Sequence, residues 1–135
     1  MGPMDAADEI WNRATATADG VELRSGDLAL SAVLHLHGLA MSGGLVDAVE
    51  RLTAAEADAA EAGFRWFGLD PAAEVVASIR RELDTGALDD GARAEALEDR
   101  ADGEYGRAVP TDATLERAFR VRLAETPDAF ATSIP

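Results

Sequence analysis

The chain has no cysteine. Disulfides, thiol nucleophiles and thiolate metal sites are therefore excluded, and a reducing, cytoplasmic setting is expected. It also has no lysine, because all twelve basic residues are arginines. That removes Schiff-base chemistry and the phosphate-binding lysine of a P-loop. Aromatics make up only 5% of the residues, with a single tyrosine. No apolar run is long enough to span a bilayer. The most apolar stretch, Leu28 to Met41, is short and carries His35 and His37. The N-terminus turns acidic within a few residues and lacks the apolar core of a signal peptide.

What remains is 135 residues, 47% hydrophobic and 28% charged, enough for one domain with a core of its own. Twenty-six acids against twelve arginines give a net charge of −14. A chain this acidic is repelled by phosphate, so direct nucleic-acid binding is not expected. Residues 1–4 are expected to be a flexible N-terminus, with Met1 to Pro3 a candidate cloning remnant before a native start at Met4, and residues 5–135 to form a single domain.

The punctuation is helical throughout. Asp5 can cap a helix with Ala7, Ile10, Trp11 and Ala14 on one face, and Asp19-Gly20 breaks it. Ser25 or Asp27 is expected to cap a helix from about Leu28 to Met41. That helix is apolar on nearly every face and is therefore placed at the centre of a bundle. Gly43-Gly44 ends it, and a short helix follows over Leu45 to Leu52. Thr53 and Glu56 form a capping box for a helix lined by Ala57, Ala60, Phe64 and Phe67. Glu61 and Arg65 are spaced as an i, i+4 ion pair on its exterior.

Gly68 reads as the residue that closes that helix, and Asp70-Pro71 opens the next. Val75, Val76, Ile79 and Leu83 mark its buried stripe, and Thr85-Gly86 stops it. A polar helix is expected from about Asp89 to Ala101, then a loop from Asp102 to Pro110 containing Gly103 and Gly106. Thr111 or Asp112 caps a last helix bearing Leu115, Ala118, Phe119 and Leu123. Pro127 ends it and Phe130 folds back on the core. No run of alternating β-branched residues suggests a strand. The expectation is an all-α bundle of about seven helices without a sheet.

No motif points to catalysis. His35 and His37 are two apart, about 200° around a helix, so they cannot share a metal ion. A packed, hydrogen-bonded histidine is the preferred reading. Asp99, Asp102 and Gly103 hint at a calcium loop, but Ala101 and Gly103 stand where ligands belong. No zinc-protease motif, glycine-rich phosphate loop or nucleophile elbow is present. No catalytic residue, metal site or cofactor is assigned. Trp66 has two readings, a core contact or an exposed anchor for a partner or a second copy; core is preferred.

The placement of charge is the informative feature. From Glu82 to Glu104 there are nine acids and two arginines, a net −7, half the charge of the chain. Projected on a helix, Glu95, Glu98, Asp99 and Asp102 fall within about 100° of one another, with Arg93 and Arg100 nearly opposite beside Leu97. Asp89 and Asp90 precede them. A helix rises 1.5 Å per residue, whereas B-DNA carries about one charge per 1.7 Å. Four carboxylates over two turns therefore approach the charge density of duplex DNA. These six acids are the candidate partner-binding residues, and a basic protein, such as one that binds DNA, is the expected partner.

The segment Leu36 to Glu50, with His-Gly-Leu-Ala-Met-Ser-Gly-Gly-Leu-Val-Asp-Ala-Val-Glu at its heart, resembles part of a mostly uncharacterised bacterial domain family. In that family a helix, an Asn-Gly-Gly-aromatic turn and a second helix follow one another, and one member is a DNA mimic. Phe64-Arg65-Trp66-Phe67-Gly68-Leu69 and the Asp70 to Leu83 helix fit its next elements. Tyr105, with Asp112 to Phe130, looks like its C-terminal signature. The similarity covers about Leu28 to Phe130. It departs from the pattern at Ser42, where asparagine is usual, and at Leu45, where an aromatic is usual. The resemblance implies an all-α fold and, for part of the family, an acidic surface that occupies another protein's DNA-binding face. Three rivals stand beside DNA mimicry: an immunity-type inhibitor of a basic toxin or nuclease, a carboxylate- and histidine-dependent enzyme, and a structural helical module.

Overall fold

In the computed structural model, residues 6–15 and 22–131 are described. They contain seven α-helices, two 3₁₀ turns and no strand. The helices are α1 (Ala6–Ala14), α2 (Ser25–Gly43), α3 (Leu45–Arg51), α4 (Ala54–Trp66), α5 (Asp70–Asp84), α6 (Gly91–Ala108) and α7 (Asp112–Glu125). The 3₁₀ turns are Ala87–Asp89, before α6, and Pro127–Ala129, after α7. The all-α expectation holds. The readings of residues 1–4, of Asp5 as a cap and of Asp19-Gly20 as a breaker lie outside the described residues.

Helix α2 organises the domain, packing chiefly on α4 and α3 and also on α1. Helix α5 lies against α4 and α6, and α6 in turn contacts α3. The core between them is apolar and closed: Leu30, Leu36, Phe64, Ile79, Phe119 and Phe130 are fully buried. Where α2 crosses α4 there is no room for a side chain at Gly63. A Cβ there would lie 2.8 Å from Val33 Cγ2 and 2.9 Å from the Ala29 carbonyl oxygen. Phe130 does fold back, edge-on to Phe119 at 5.5 Å and against Trp66 at 5.7 Å.

Buried Asp27 ties α1 to the segment that follows α7. Its carboxylate accepts from Arg13 Nη2 at 2.6 Å, from Ala131 N at 2.7 Å and from Arg24 N at 3.0 Å. Three donors on one carboxylate satisfy its lone pairs, as burial of a charge requires.

Several boundaries follow their sequence signals. Thr53 and Glu56 close the capping box in both directions. Gly68 has φ 79°, the left-handed region that glycine tolerates. There Leu69 N donates to Phe64 O and Gly68 N to Arg65 O, which is a Schellman closure. Others differ. Arg24, not Ser25 or Asp27, is the N-cap of α2, and Asp27 sits three residues in, accepting from the Arg24 backbone. Helix α5 begins at Asp70 itself.

Two differences are larger. The expected loop from Asp102 to Pro110 is helix as far as Ala108. Gly103 and Gly106 each cost a helix roughly 1 kcal/mol relative to alanine. Leu97, Ala101 and Tyr105, however, form one buried i, i+4 stripe whose packing outweighs that cost. Helix α2 is also not wholly interior, since Leu28, His35, Gly38 and Met41 along it are exposed.

Candidate protein-interaction surface

Helix α6 carries the acidic residues, and its start fixes which way they face. Asp90 is the N-cap, its Oδ1 accepting from Ala92 N at 2.9 Å and from Arg93 N at 3.2 Å. Leu97, Ala101 and Tyr105 turn inward. That rotation sends Arg93 and Arg100 toward α5. Arg93 donates to Thr85 Oγ1 at 2.7 Å and to Glu82 Oε2 at 3.3 Å, and Arg100 lies within 3.9 Å of Glu82 and 3.7 Å of Glu104. Both arginines thus neutralise Glu82 and Glu104.

Glu95, Glu98 and Asp99 are left exposed on the other side of α6. Among the described residues none of the three takes part in an ion pair or side-chain hydrogen bond. Asp89 is exposed at the end of the 3₁₀ turn just before the helix. Asp90, Glu95, Glu98, Asp99 and Asp102 lie on the same helix or its cap, but they are not equivalent. Asp90 caps α6. Asp102, though exposed, reaches across to α3, where its Oδ1 accepts from Leu45 N at 2.9 Å.

The reason for that reach lies in the double-glycine turn. Gly44 is the N-cap of α3 and has no side chain to accept the helix's first free N–H groups. A carboxylate from another element does so instead, and its negative charge sits favourably at a helix N-terminus. Sequence reasoning missed this role. The signal was present in principle: a glycine at an N-cap leaves a donor that needs a partner.

The histidines separate as their spacing requires. His35 is exposed, 3.8 Å from Glu56. His37 is buried with both ring nitrogens engaged: Nδ1 lies 2.8 Å from Tyr105 Oη, and Nε2 lies 2.7 Å from Asp112 Oδ1. In the neutral ring, Nε2–H donates to the carboxylate and Nδ1 accepts the tyrosine proton. Burial, and secondarily the Asp112 charge, push the Tyr105 phenol above its ordinary value, so it remains a donor. The chain Tyr105–His37–Asp112 links α6, α2 and α7. It is the packed, satisfied histidine expected from the sequence.

No group of three or more His, Asp or Glu among the described residues is placed to hold a metal ion. Trp66 takes its core reading. It lies edge-on to Phe67 at 4.9 Å, contacts Phe130 and is covered by the Arg122 guanidinium 4.5 Å from its centroid. No helix of the described residues is long and apolar enough to cross a membrane.

Fold and surface together define the class: an all-α domain with an uncompensated acidic helix face. No family model, curated protein or solved structure matches the chain.

Proposed function

We propose that this protein binds a basic protein partner through the acidic face of α6 and occupies that partner's DNA-binding surface as a DNA mimic. The observation that carries the reading is the sorting of charge on α6. Arg93 and Arg100 are consumed by Glu82 and Glu104, while Glu95, Glu98 and Asp99 stand exposed and unpaired. Asp89, Asp90 and Asp102 extend the same negative field, the last two while also capping helices. An acidic surface of this kind steers a basic groove toward it and competes with phosphate for the same arginines and lysines. The role proposed is binding rather than catalysis, without a cofactor, and in the cytoplasm. The resemblance of the Gly43-Gly44 turn and the Tyr105 to Phe130 region to a family with a DNA-mimic member is consistent with it.

The test is capture of partners from host lysate at low salt, followed by a salt gradient and challenge with duplex DNA. The expected result is a DNA-binding protein that elutes sharply with salt and is displaced by DNA. With the partner in hand, Glu95→Arg, Glu98→Arg and Asp99→Arg together should weaken binding at least tenfold, or about 1.4 kcal/mol. Unchanged affinity in that variant would overturn the proposal. A toxin or nuclease in place of a DNA-binding regulator would turn the same surface into that of an immunity-type inhibitor.

A further inference from the structure

We propose that Met41 is the apolar anchor of the α6 surface, and that the segment docking there is a basic helix whose row of arginines or lysines ends in an apolar side chain. The inference rests on the reading of α6 as a docking face and names what that face takes. Met41 is the most exposed large hydrophobic side chain among the described residues, at 61%. It stands at the seam between α2 and α6. One turn before it, His37 Nδ1 lies 2.8 Å from the hydroxyl of Tyr105 on α6. One turn after it, a Cβ at Gly44 would lie 3.3 Å from the Asp102 carboxylate oxygens. The two helices therefore run past each other in opposite directions, with Met41 between their two points of contact.

The outer face of α6 changes character at that seam. Glu95, Glu98, Asp99 and Asp102 occupy its first part, all four exposed. One turn on from Asp99 and Asp102, the same face presents Gly103 and Gly106, also exposed. A Cβ at Gly106 would meet nothing within 4 Å, and one at Gly103 only Arg107 Nη1, at 3.6 Å. This end is bare backbone, bordered by α2 on the Tyr105 side and by Arg107 on the other. Glu95 to Gly106 spans about 17 Å at 1.5 Å per residue, the length of three turns of a partner helix.

Charge and shape select the occupant. The four carboxylates draw arginine or lysine to the first part of the face. Arg107 repels the same cations from the bare end, so an uncharged group meets that end. With no side chains at Gly103 and Gly106, a partner helix can approach closely, because the distance between packed helices is set by the side chains at their contact. Met41, unbranched and polarisable, then closes over the partner's apolar side chain. Surface charge governs encounter and orientation more than affinity, so a buried apolar contact is what holds the complex together.

Two synthetic helical peptides of about 14 residues test this. Both carry the same row of arginines, which ends in leucines in one and in glutamines in the other. They are titrated with the full chain and followed by fluorescence anisotropy. The leucine peptide should bind about tenfold tighter, and that ratio should persist as salt weakens both. Met41→Gln should bring the ratio close to one. Gly106→Gln, which places a side chain in the open space of the bare end, should do the same. Both positions are exposed, so the helical circular dichroism should not change. Glu95→Arg with Asp99→Arg should weaken both peptides alike. Equal affinity for the two peptides, or a preference that survives Met41→Gln, would overturn this inference and leave the α6 reading standing. Binding of neither peptide at low salt would overturn both.

Discussion

Tyr105 is the chain's one tyrosine, and its surroundings give it a chemistry that can be read directly. Its phenol donates to His37, which donates to Asp112, and its ring lies edge-on to Phe64 at 6.4 Å. Burial first, and then the Asp112 charge, disfavour the phenolate in the folded chain. In the unfolded chain the phenol ionises at an ordinary value near pH 10. The folded pKa is raised, so this group's contribution to stability is fully present below about pH 10 and declines as the pH rises further. The expected outcome is that phenolate absorbance appears only together with unfolding, monitored by circular dichroism in the same titration. A phenolate forming near pH 10 in a chain that stays folded would contradict the described burial.

At the scale of elements, glycines with the same sequence appearance have opposite roles. Gly63 sits where α4 touches the α2 backbone. Gly63→Ala is expected to destabilise by about 1–3 kcal/mol in urea unfolding, because the two helices must separate. Gly103 and Gly106 lie within α6, where a Cβ at Gly103 would meet only Arg107 Nη1, at 3.6 Å, and one at Gly106 nothing within 4 Å. Gly103→Ala and Gly106→Ala should each stabilise by about 0.5–1 kcal/mol by removing backbone entropy from the unfolded chain.

The carboxylates of α6 divide in the same way. Asp102→Ala removes the cap of α3 and should cost about 0.5–2 kcal/mol. Asp99→Ala, one turn earlier and unpaired, should change stability by no more than about 0.5 kcal/mol. Equal effects at the two positions would mean that the contact from Asp102 to Leu45 contributes nothing.

Over the whole molecule, charge and stability pull in different directions. Glu95 with Asp99, and Glu98 with Asp102, are like-charge i, i+4 pairs that each cost about 0.2–0.5 kcal/mol. Glu95→Gln, Glu98→Gln and Asp99→Asn together should therefore raise the midpoint of thermal unfolding while weakening association with a basic partner. A face maintained against its own stability is what a binding role predicts. If the neutralised protein were no more stable, or bound the partner as tightly, the acidic face would be a solvated surface without that role.

The helical class and most of the helix boundaries were legible in the sequence, because these depend on local physics. Apolar spacing, the Thr53–Glu56 box and the left-handed Gly68 act within a few residues. The sequence also carried the separation of acids from arginines on α6, a matter of helical phase. The extent of α6 was not legible, since a loop rich in glycine and a helix held by one buried tyrosine differ only in what the tyrosine touches. Nor was the role of Asp102, whose donor lies 57 residues away, or the exposure of residues along α2. An apolar helix looks the same in sequence whether its neighbours cover all of it or leave part of it open. Tertiary packing made that choice, setting an acidic face on one helix and exposed apolar residues on another.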